Sequence, residues 1–273
     1  MKRMPPLTSH ILTRLRAYCK HALSAWNTSG EGIHSPYLFY LVRLLLPDEH
    51  AYYVWQDIER QRDALLHNTQ RIHVVDYGTG KECEDVRCVC DIANSSLESP
   101  RMAQLFFRWL VYMSHEAQRP LEIAELGTSL GITTAYLAAA HSHNHVLTFE
   151  GSHSIAQVAR KTWQALHLQN ITLLEGNLDT TLTSVPLPQY IDFAFVDANH
   201  TEEATCRYVQ TLLPYLHDKS ILFVDDIHHS PAMERAWHML KALPQVTTTM
   251  DFFYAGALFF DPHYLKKHYR LRL

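Results

Sequence analysis

The 273-residue sequence has no uninterrupted apolar run of the length that a bilayer-spanning helix needs. Lys2 and Arg3 stand near the start, but Pro5, Pro6 and the polar residues after them leave no apolar core of a secretory signal. These absences lead us to expect a cytoplasmic protein without membrane insertion. An excess of charge of one sign is also missing: 24 Lys and Arg face 28 Asp and Glu, a formal net charge of −4. Such a balance argues against global attraction to nucleic acid or anionic membranes. No second cysteine knuckle accompanies Cys83, Cys88 and Cys90, and the total of five cysteines is odd. A secreted disulfide framework and a four-ligand structural zinc are therefore both disfavoured, and free thiols are expected. Internal repeats and low-complexity tracts are absent too.

What is present is enough apolar material, 47% of residues, to bury a sizeable core. Nineteen histidines against the small net charge mean that mild acidification should reverse its sign. Two textures divide the chain. Residues 1–103 mix short helical patterns with charged, irregular stretches and are read as an N-terminal extension, a lid or acceptor-binding region. Within it, Ile11–Trp26 has the pattern of a basic amphipathic helix, which we expect to pack on its own domain. From residue 104 to 273, short apolar runs alternate with helical patterns, as in a parallel sheet built from βαβ units. The expected strands are 121–126, 145–150, 171–176, 191–197 and 220–226, with helices at 153–168, 201–216 and 230–242. The last two runs, 246–253 and 256–261, are separated only by Tyr254 and Ala255. So short a link excludes a crossover helix and forces an antiparallel hairpin. The basic tail LKKHYRLRL is expected to be solvated.

The segment IAELGTSLGITTAYLAAA concentrates the chemistry. Glu125 ends a strand, Gly127 lets the backbone pass close beneath a ligand, and Gly131 lets helix and strand pack tightly. Open N–H groups at the helix start favour a carboxylate or phosphate, and Thr128 and Ser129 are further cofactor-binding candidates in the turn. Ser129 stands where a dinucleotide fingerprint needs its second glycine, and Glu125 would repel a pyrophosphate. A ligand carrying a cation and a ribose fits instead. Glu150, ending the second strand, can accept both ribose hydroxyls, and Gly176 and Asn177 after the third strand stand where an adenine would lie. S-Adenosylmethionine is the expected cofactor.

The ELGTSLGITTAYLA segment resembles the first motif of class I methyltransferases, and FEGSHSIAQVA resembles their ribose-binding strand. The chain as a whole is similar to a bacterial family of class I S-adenosylmethionine-dependent methyltransferases. That similarity rests on GIHSP (Gly32–Pro36), the DxGxG segment (Asp76–Gly80), ELGTSLG, D-x-N-H after the fourth strand and DDI after the fifth. The resemblance implies a Rossmann-like α/β fold: a seven-stranded, mainly parallel sheet with a C-terminal antiparallel hairpin, plus the helical N-terminal extension. It implies the cofactor but no substrate. Gly78 and Gly80, in VVDYGTGKE, are read as a turn that closes over the pocket rather than a second cofactor turn, because no apolar helix follows.

Asp197, Asp225 and Asp226 end adjacent strands, so three carboxylates should converge beside the cofactor. Packed acids repel unless a cation neutralises them, and oxygen ligands suit Mg2+ or another hard divalent ion. The arrangement resembles the catechol and caffeoyl-CoA O-methyltransferases, and more closely the sugar O-methyltransferases with an Asp-Asp pair. It departs from the latter at Asn199, where they carry a catalytic Asp. His200 is the substitute general base, with Asp197 beside it; capping the following helix or touching the cofactor are its other readings. His228, His229 and Tyr254 are candidate acceptor-pocket residues, as is His34 through the resemblance alone. The expected reaction is O-methylation of a small-molecule hydroxyl. Metal-independent N- or carboxyl-methylation and a non-catalytic binding module are the alternatives. No flipped-base motif of the DPPY or NPPY type indicates a nucleic-acid acceptor. A homodimer is left open.

Overall fold

The computed structural model describes residues 17–77 and 83–273. Its centre is an eight-stranded sheet of β3 (Glu122–Leu126), β4 (His145–Glu150), β5 (Ile171–Glu175), β6 (Ile191–Val196), β7 (Leu216–Asp225), β8 (Thr248–Asp251), β9 (Ala255–Phe259) and β10 (Lys267–Arg270). The spatial order is β10-β8-β9-β7-β6-β3-β4-β5. β5 through β7 pair in parallel, and β9 runs antiparallel to both β7 and β8. All five expected crossover strands and the terminal hairpin are thus present. The central strand β6 and the Ile221–Val224 part of β7 are buried and almost wholly apolar on both faces, as they must be when helices cover both sides. Successive residues alternate between the two cores: Phe193, Phe195, Ile221 and Phe223 enter one, while Ala194, Val196, Leu222 and Val224 enter the other.

The helices are α1 (Pro36–Tyr40), α2 (Tyr53–Leu66), α3 (Val89–Ser96), α4 (Pro100–Ala117), α5 (Ile132–Ala139), α6 (His153–Ala165), α7 (Leu178–Ser184), α8 (Glu202–Leu212) and α9 (Pro231–Ala242). Ser99 starts α4 by accepting a bond from the backbone N of Met102, with Pro100 in the first turn where its missing N–H costs nothing. Phe106 and Trp109 of α4 pack on Phe193, Phe195 and Phe223. Ile33, Leu38, Leu41, Val42 and Leu45 join the same core. The division at residues 103 and 104 therefore falls inside α4, and residues 33–46 share a core with the sheet. Among the described residues, no helix is long and apolar enough to cross a membrane.

Three local expectations change. The basic tail is not simply solvated: Lys267–Arg270 forms the edge strand β10, parallel to β8. Tyr269 and Leu271 are buried while Lys267, His268 and Arg270 are exposed, an alternation of period two. The VVD run forms β1 (Arg71–Asp76), paired antiparallel with β2 (Cys83–Cys88), so the charged KECEDVRC stretch contributes a strand. Gly78 and Gly80 lie outside the described residues. Of the expected Ile11–Trp26 helix, residues 17–24 are described and helical, and the earlier part lies outside them.

Candidate active site

The site lies where the chain changes direction across the sheet. β3 and β6 are neighbours, yet β4 and β5 extend one way and β7 the other. The loops leaving β3 and β6 therefore part, opening a crevice at the carboxyl edge where open α/β sheets bind ligands. A cleft of about 720 Å³ occupies that place, within the usual range for small-molecule sites. Gly127, Ser129, Glu150, Asn177, Asp197, Asn199, His200, Asp225, Asp226, His229 and Tyr254 all line it.

Each element of the cofactor turn has a local cause. Gly127 adopts φ 103°, and a Cβ there would lie 1.9 Å from the Asp197 carbonyl oxygen. The glycine is thus required by the next strand's chain, not only by a ligand. Gly131 (φ 81°) presses on Trp163, whose indole N–H donates to the Gly131 carbonyl at 2.8 Å. Ser129 also takes a left-handed conformation (φ 50°), which aims its N–H at Glu150 Oε2, 2.9 Å away. Glu150 Oε1 accepts from the Ser152 N–H at 2.9 Å. The carboxylate is therefore held by two backbone donors while still facing the cleft. Asn177 caps α7 by accepting from the Asp179 N–H, and Gly176 (φ 128°) makes the turn before it.

Glu125 does not line the cleft. It is fully buried below the turn, with Oε2 accepting from Thr134 and Thr148 hydroxyls at 2.5 and 2.6 Å, and Thr128 bonded to Thr148 at 2.6 Å. Its Oε1 has no partner. Burial pushes its pKa up to about 8, against the two hydroxyl bonds, and the Glu150 charge adds to the rise. The folded protein thus holds a proton here that the unfolded chain releases above its ordinary carboxylate pKa. Stability is lost as pH rises from that value through about 8, a penalty of roughly 3–5 kcal/mol when complete. Glu125→Gln removes the titration. The melting temperature of the variant relative to wild type should therefore rise between pH 5 and pH 8; equal differences at both pH values would exclude this role.

The acidic cluster is larger than the sequence indicated. Asp225 hydrogen-bonds with Asp197 and also with Glu98, which arrives from the turn between α3 and α4. Burial raises all three carboxyl pKa values, and mutual repulsion with Asp226 adds to each rise. Asp226 adopts a left-handed conformation (φ 52°), with His229 Nδ1 3.5 Å from its carboxylate. His200 Nε2 lies 3.4 Å from Asp197 Oδ1. Burial lowers the His200 pKa, with Asp226 opposing and His229 assisting. A neutral imidazole beside the cleft is the form a general base needs. The cap of α8 is Thr201 rather than His200, since the Thr201 hydroxyl accepts from Ala204 N. Asn199 (φ 57°) donates to the Tyr208 hydroxyl at 3.2 Å, leaving its buried Oδ1 without a partner.

Two acceptor-pocket candidates stand elsewhere. His228 does not line the cleft; its Nε2 is 3.0 Å from Asp251 and its Nδ1 3.4 Å from Glu234. Burial opposes protonation of His228, but these bonds outweigh it and raise the pKa. His21 Nε2 lies 3.0 Å from the other Asp251 oxygen, tying the helical residues 17–24 to β8. His34 is exposed and also does not line the cleft. Its GIHSP segment builds the start of α1, where Ser35 caps the helix and the Gly32 carbonyl accepts from Tyr269 at 3.4 Å.

Sequence reasoning missed Glu98 and Tyr77. Tyr77 follows β1 and lies against Gly151, where an added Cβ would meet its ring at 2.8 Å. The β1–β2 hairpin thus forms a wall of the cleft beside Glu150, with Val74, Val75 and Arg87.

Residues 124–227 match the family model of a methyltransferase domain. Over these residues the chain is similar to that family. Its strand order and terminal hairpin form the Rossmann-like fold of class I methyltransferases. The Podospora anserina methyltransferase PaMTH1, solved with SAH, is 14% identical with a TM-score of 0.55; the match covers 95% of this chain and 99% of that one. An O-methyltransferase from Bacillus cereus, also in complex with SAH, is 18% identical with a TM-score of 0.53, covering 81% and 95%. No curated protein sequence matches the chain. The matched segment runs from β3 to just beyond β7, so it contains the glycine turn, Glu150, Asp197, Asp225 and Asp226.

Proposed function

We propose that this protein transfers the methyl group of S-adenosylmethionine to a hydroxyl of a small molecule. The observation that carries the reading is one cleft holding both the Gly127–Gly131 turn with Glu150 and the carboxylates of Asp197, Asp225 and Asp226 beside His200. In this reading Glu150 accepts bonds from the ribose hydroxyls, and Asn177 and Tyr77 border the base. The acceptor oxygen attacks the methyl carbon, the carbon–sulfur bond breaks with its electrons left on sulfur, and the hydroxyl proton passes to His200 Nε2. The chain's main contribution is alignment of acceptor oxygen, methyl carbon and sulfur, worth up to about 7–11 kcal/mol in favourable cases.

The oxygen-only donors Asp197, Asp225 and Asp226, the first two with carboxyl pKa values raised by burial and by neighbouring acids, fit a hard divalent cation. Such an ion would orient the acceptor and lower its hydroxyl pKa. A panel of hydroxyl acceptors, read by S-adenosylhomocysteine release, tests both parts. His200→Ala should lower kcat by about 10²-fold with KM for the cofactor nearly unchanged. Asp225→Ala and EDTA should each abolish turnover, with Mg2+ restoring only the chelated enzyme. Turnover that survives EDTA and Asp225→Ala excludes the metal; unchanged kcat in His200→Ala excludes that base.

One observation favours a second reading. The three acids form no preassembled trio of ligand atoms within 4.8 Å of one another, and Glu98 adds a fourth carboxylate. Four acids without a cation would suit an amine acceptor, with methylation on nitrogen. Methylation of amines but not hydroxyls in the same panel would decide for it.

A further inference from the structure

Cys88 and Cys90 are not needed for anything described above. They stand at the far end of α3 from the acidic cluster. Their sulfurs lie 2.7 Å apart, and the Cys90 sulfur is 3.9 Å from Asp91 Oδ1. Among the described residues this is the one group of three His, Cys, Asp or Glu side chains whose ligand atoms all lie within 4.8 Å of one another. The backbone brings them together. Cys88 ends β2 and occupies the position before the first turn of α3, and Cys90 lies two residues on in that turn, so both thiols sit at one strand-to-helix junction. Asp91 follows in that first helical turn. The Asn68 carbonyl accepts both the Cys90 N–H at 2.9 Å and the Cys88 thiol at 3.4 Å. Both cysteines are half-buried and Asp91 is exposed, leaving a side open to water. Cys83 pairs with the opposite end of β1, five positions from Cys88, about 17 Å along an extended strand.

We propose that Cys88, Cys90 and Asp91 form a binding site for one thiophilic divalent cation of the Zn2+ type, separate from the oxygen-lined cleft. Two soft sulfurs and one carboxylate select such an ion over Mg2+. Tetrahedral coordination at zinc–sulfur distances of about 2.3 Å places two sulfurs about 3.8 Å apart, so rotation of one side chain by roughly an ångström completes the set. A water or the Asn68 carbonyl supplies the fourth ligand. Binding replaces the thiol protons, releasing two H+ per ion when both thiols start protonated, with no change in oxidation state. The positive end of the α3 dipole favours the resulting thiolates. The site also has a route to the cleft. α3 carries Ser95 and Ser96 into its wall, and the Ser96 hydroxyl lies 2.8 Å from the Ser129 hydroxyl.

The test uses the reduced, chelator-treated full-length protein and Zn2+ alone. Alkylation of the unmodified protein, mapped by mass spectrometry, should show Cys88 and Cys90 protected by one equivalent of Zn2+, while exposed Cys19 stays reactive. Competition against a chromophoric chelator should show at least tenfold weaker binding in Cys88→Ser and in Cys90→Ser, but unchanged affinity in Cys206→Ser. Proton release should fall from about two per Zn2+ in wild type to about one in either variant. Equal alkylation of Cys88 and Cys90 with and without Zn2+ overturns the proposal even if a variant fails to fold. So does protection that appears only after oxidation to a Cys88–Cys90 disulfide, with no Zn2+ taken up by the reduced thiols.

Discussion

Replacing Glu150 with alanine should weaken S-adenosylhomocysteine binding by about 10²-fold or more, with the fold retained. Hydrogen bonds to a charged acceptor contribute about 1.5–3 kcal/mol each, and a ribose offers two hydroxyls. The same carboxylate already accepts from the backbone of Ser129 and Ser152, so it is positioned before a ligand arrives. That preorganisation means little side-chain entropy is lost on binding. Glu150→Gln keeps the shape but loses the charge and turns one oxygen into a donor facing backbone N–H groups; its loss should be about tenfold or larger. Isothermal titration with S-adenosylhomocysteine, alongside thermal melts, provides the check. Wild-type affinity in Glu150→Ala would remove the ribose assignment.

Gly127→Ala should destabilise the whole protein by about 3–5 kcal/mol, lowering the melting temperature by about 10 °C. Two causes act together. The residue sits at φ 103°, where a side chain is strained, and its Cβ would stand 1.9 Å from the Asp197 carbonyl oxygen. That carbonyl cannot simply retreat, because the Asp197 N–H is bonded to the Leu126 carbonyl at 2.8 Å. Relief requires the ends of β3 and β6 to separate at the point where the crevice forms. Gly176→Ala is the control: it is also strained (φ 128°), but its nearest contact is the methyl of Thr181 at 3.0 Å. It should cost clearly less in a thermal melt. Equal losses would mean that backbone conformation alone, and not the approach of β6, demands glycine at 127.

The parallel strands were legible because burial on both faces demands near-continuous apolar runs, and IDFAFV and ILFVD have little else to be. The hairpin was legible because two residues cannot hold a crossover. β10 was not, because its two inward residues, Tyr269 and Leu271, are separated by charged ones and look solvated until β8 offers an edge to pair with. The positions of Glu150, Asp197, Asp225 and Asp226 followed from the rule that parallel strand ends share one edge. Glu98 and Tyr77 obey no such rule, since they come from turns whose placement depends on how α3 and the β1–β2 hairpin dock.

The sequence by itself determined the five parallel strands, the terminal hairpin and the glycine turn, because these are set by local periodicity, by φ preferences and by short connections. Only the tertiary structure decided which side chains share the cleft. It buried Glu125 below the turn and left its Oε1 without a partner, drew Glu98 into the acidic cluster, and committed His228 to Asp251 instead of the cleft. The reason is that burial and charge proximity are properties of packing between distant segments, and no local pattern encodes them.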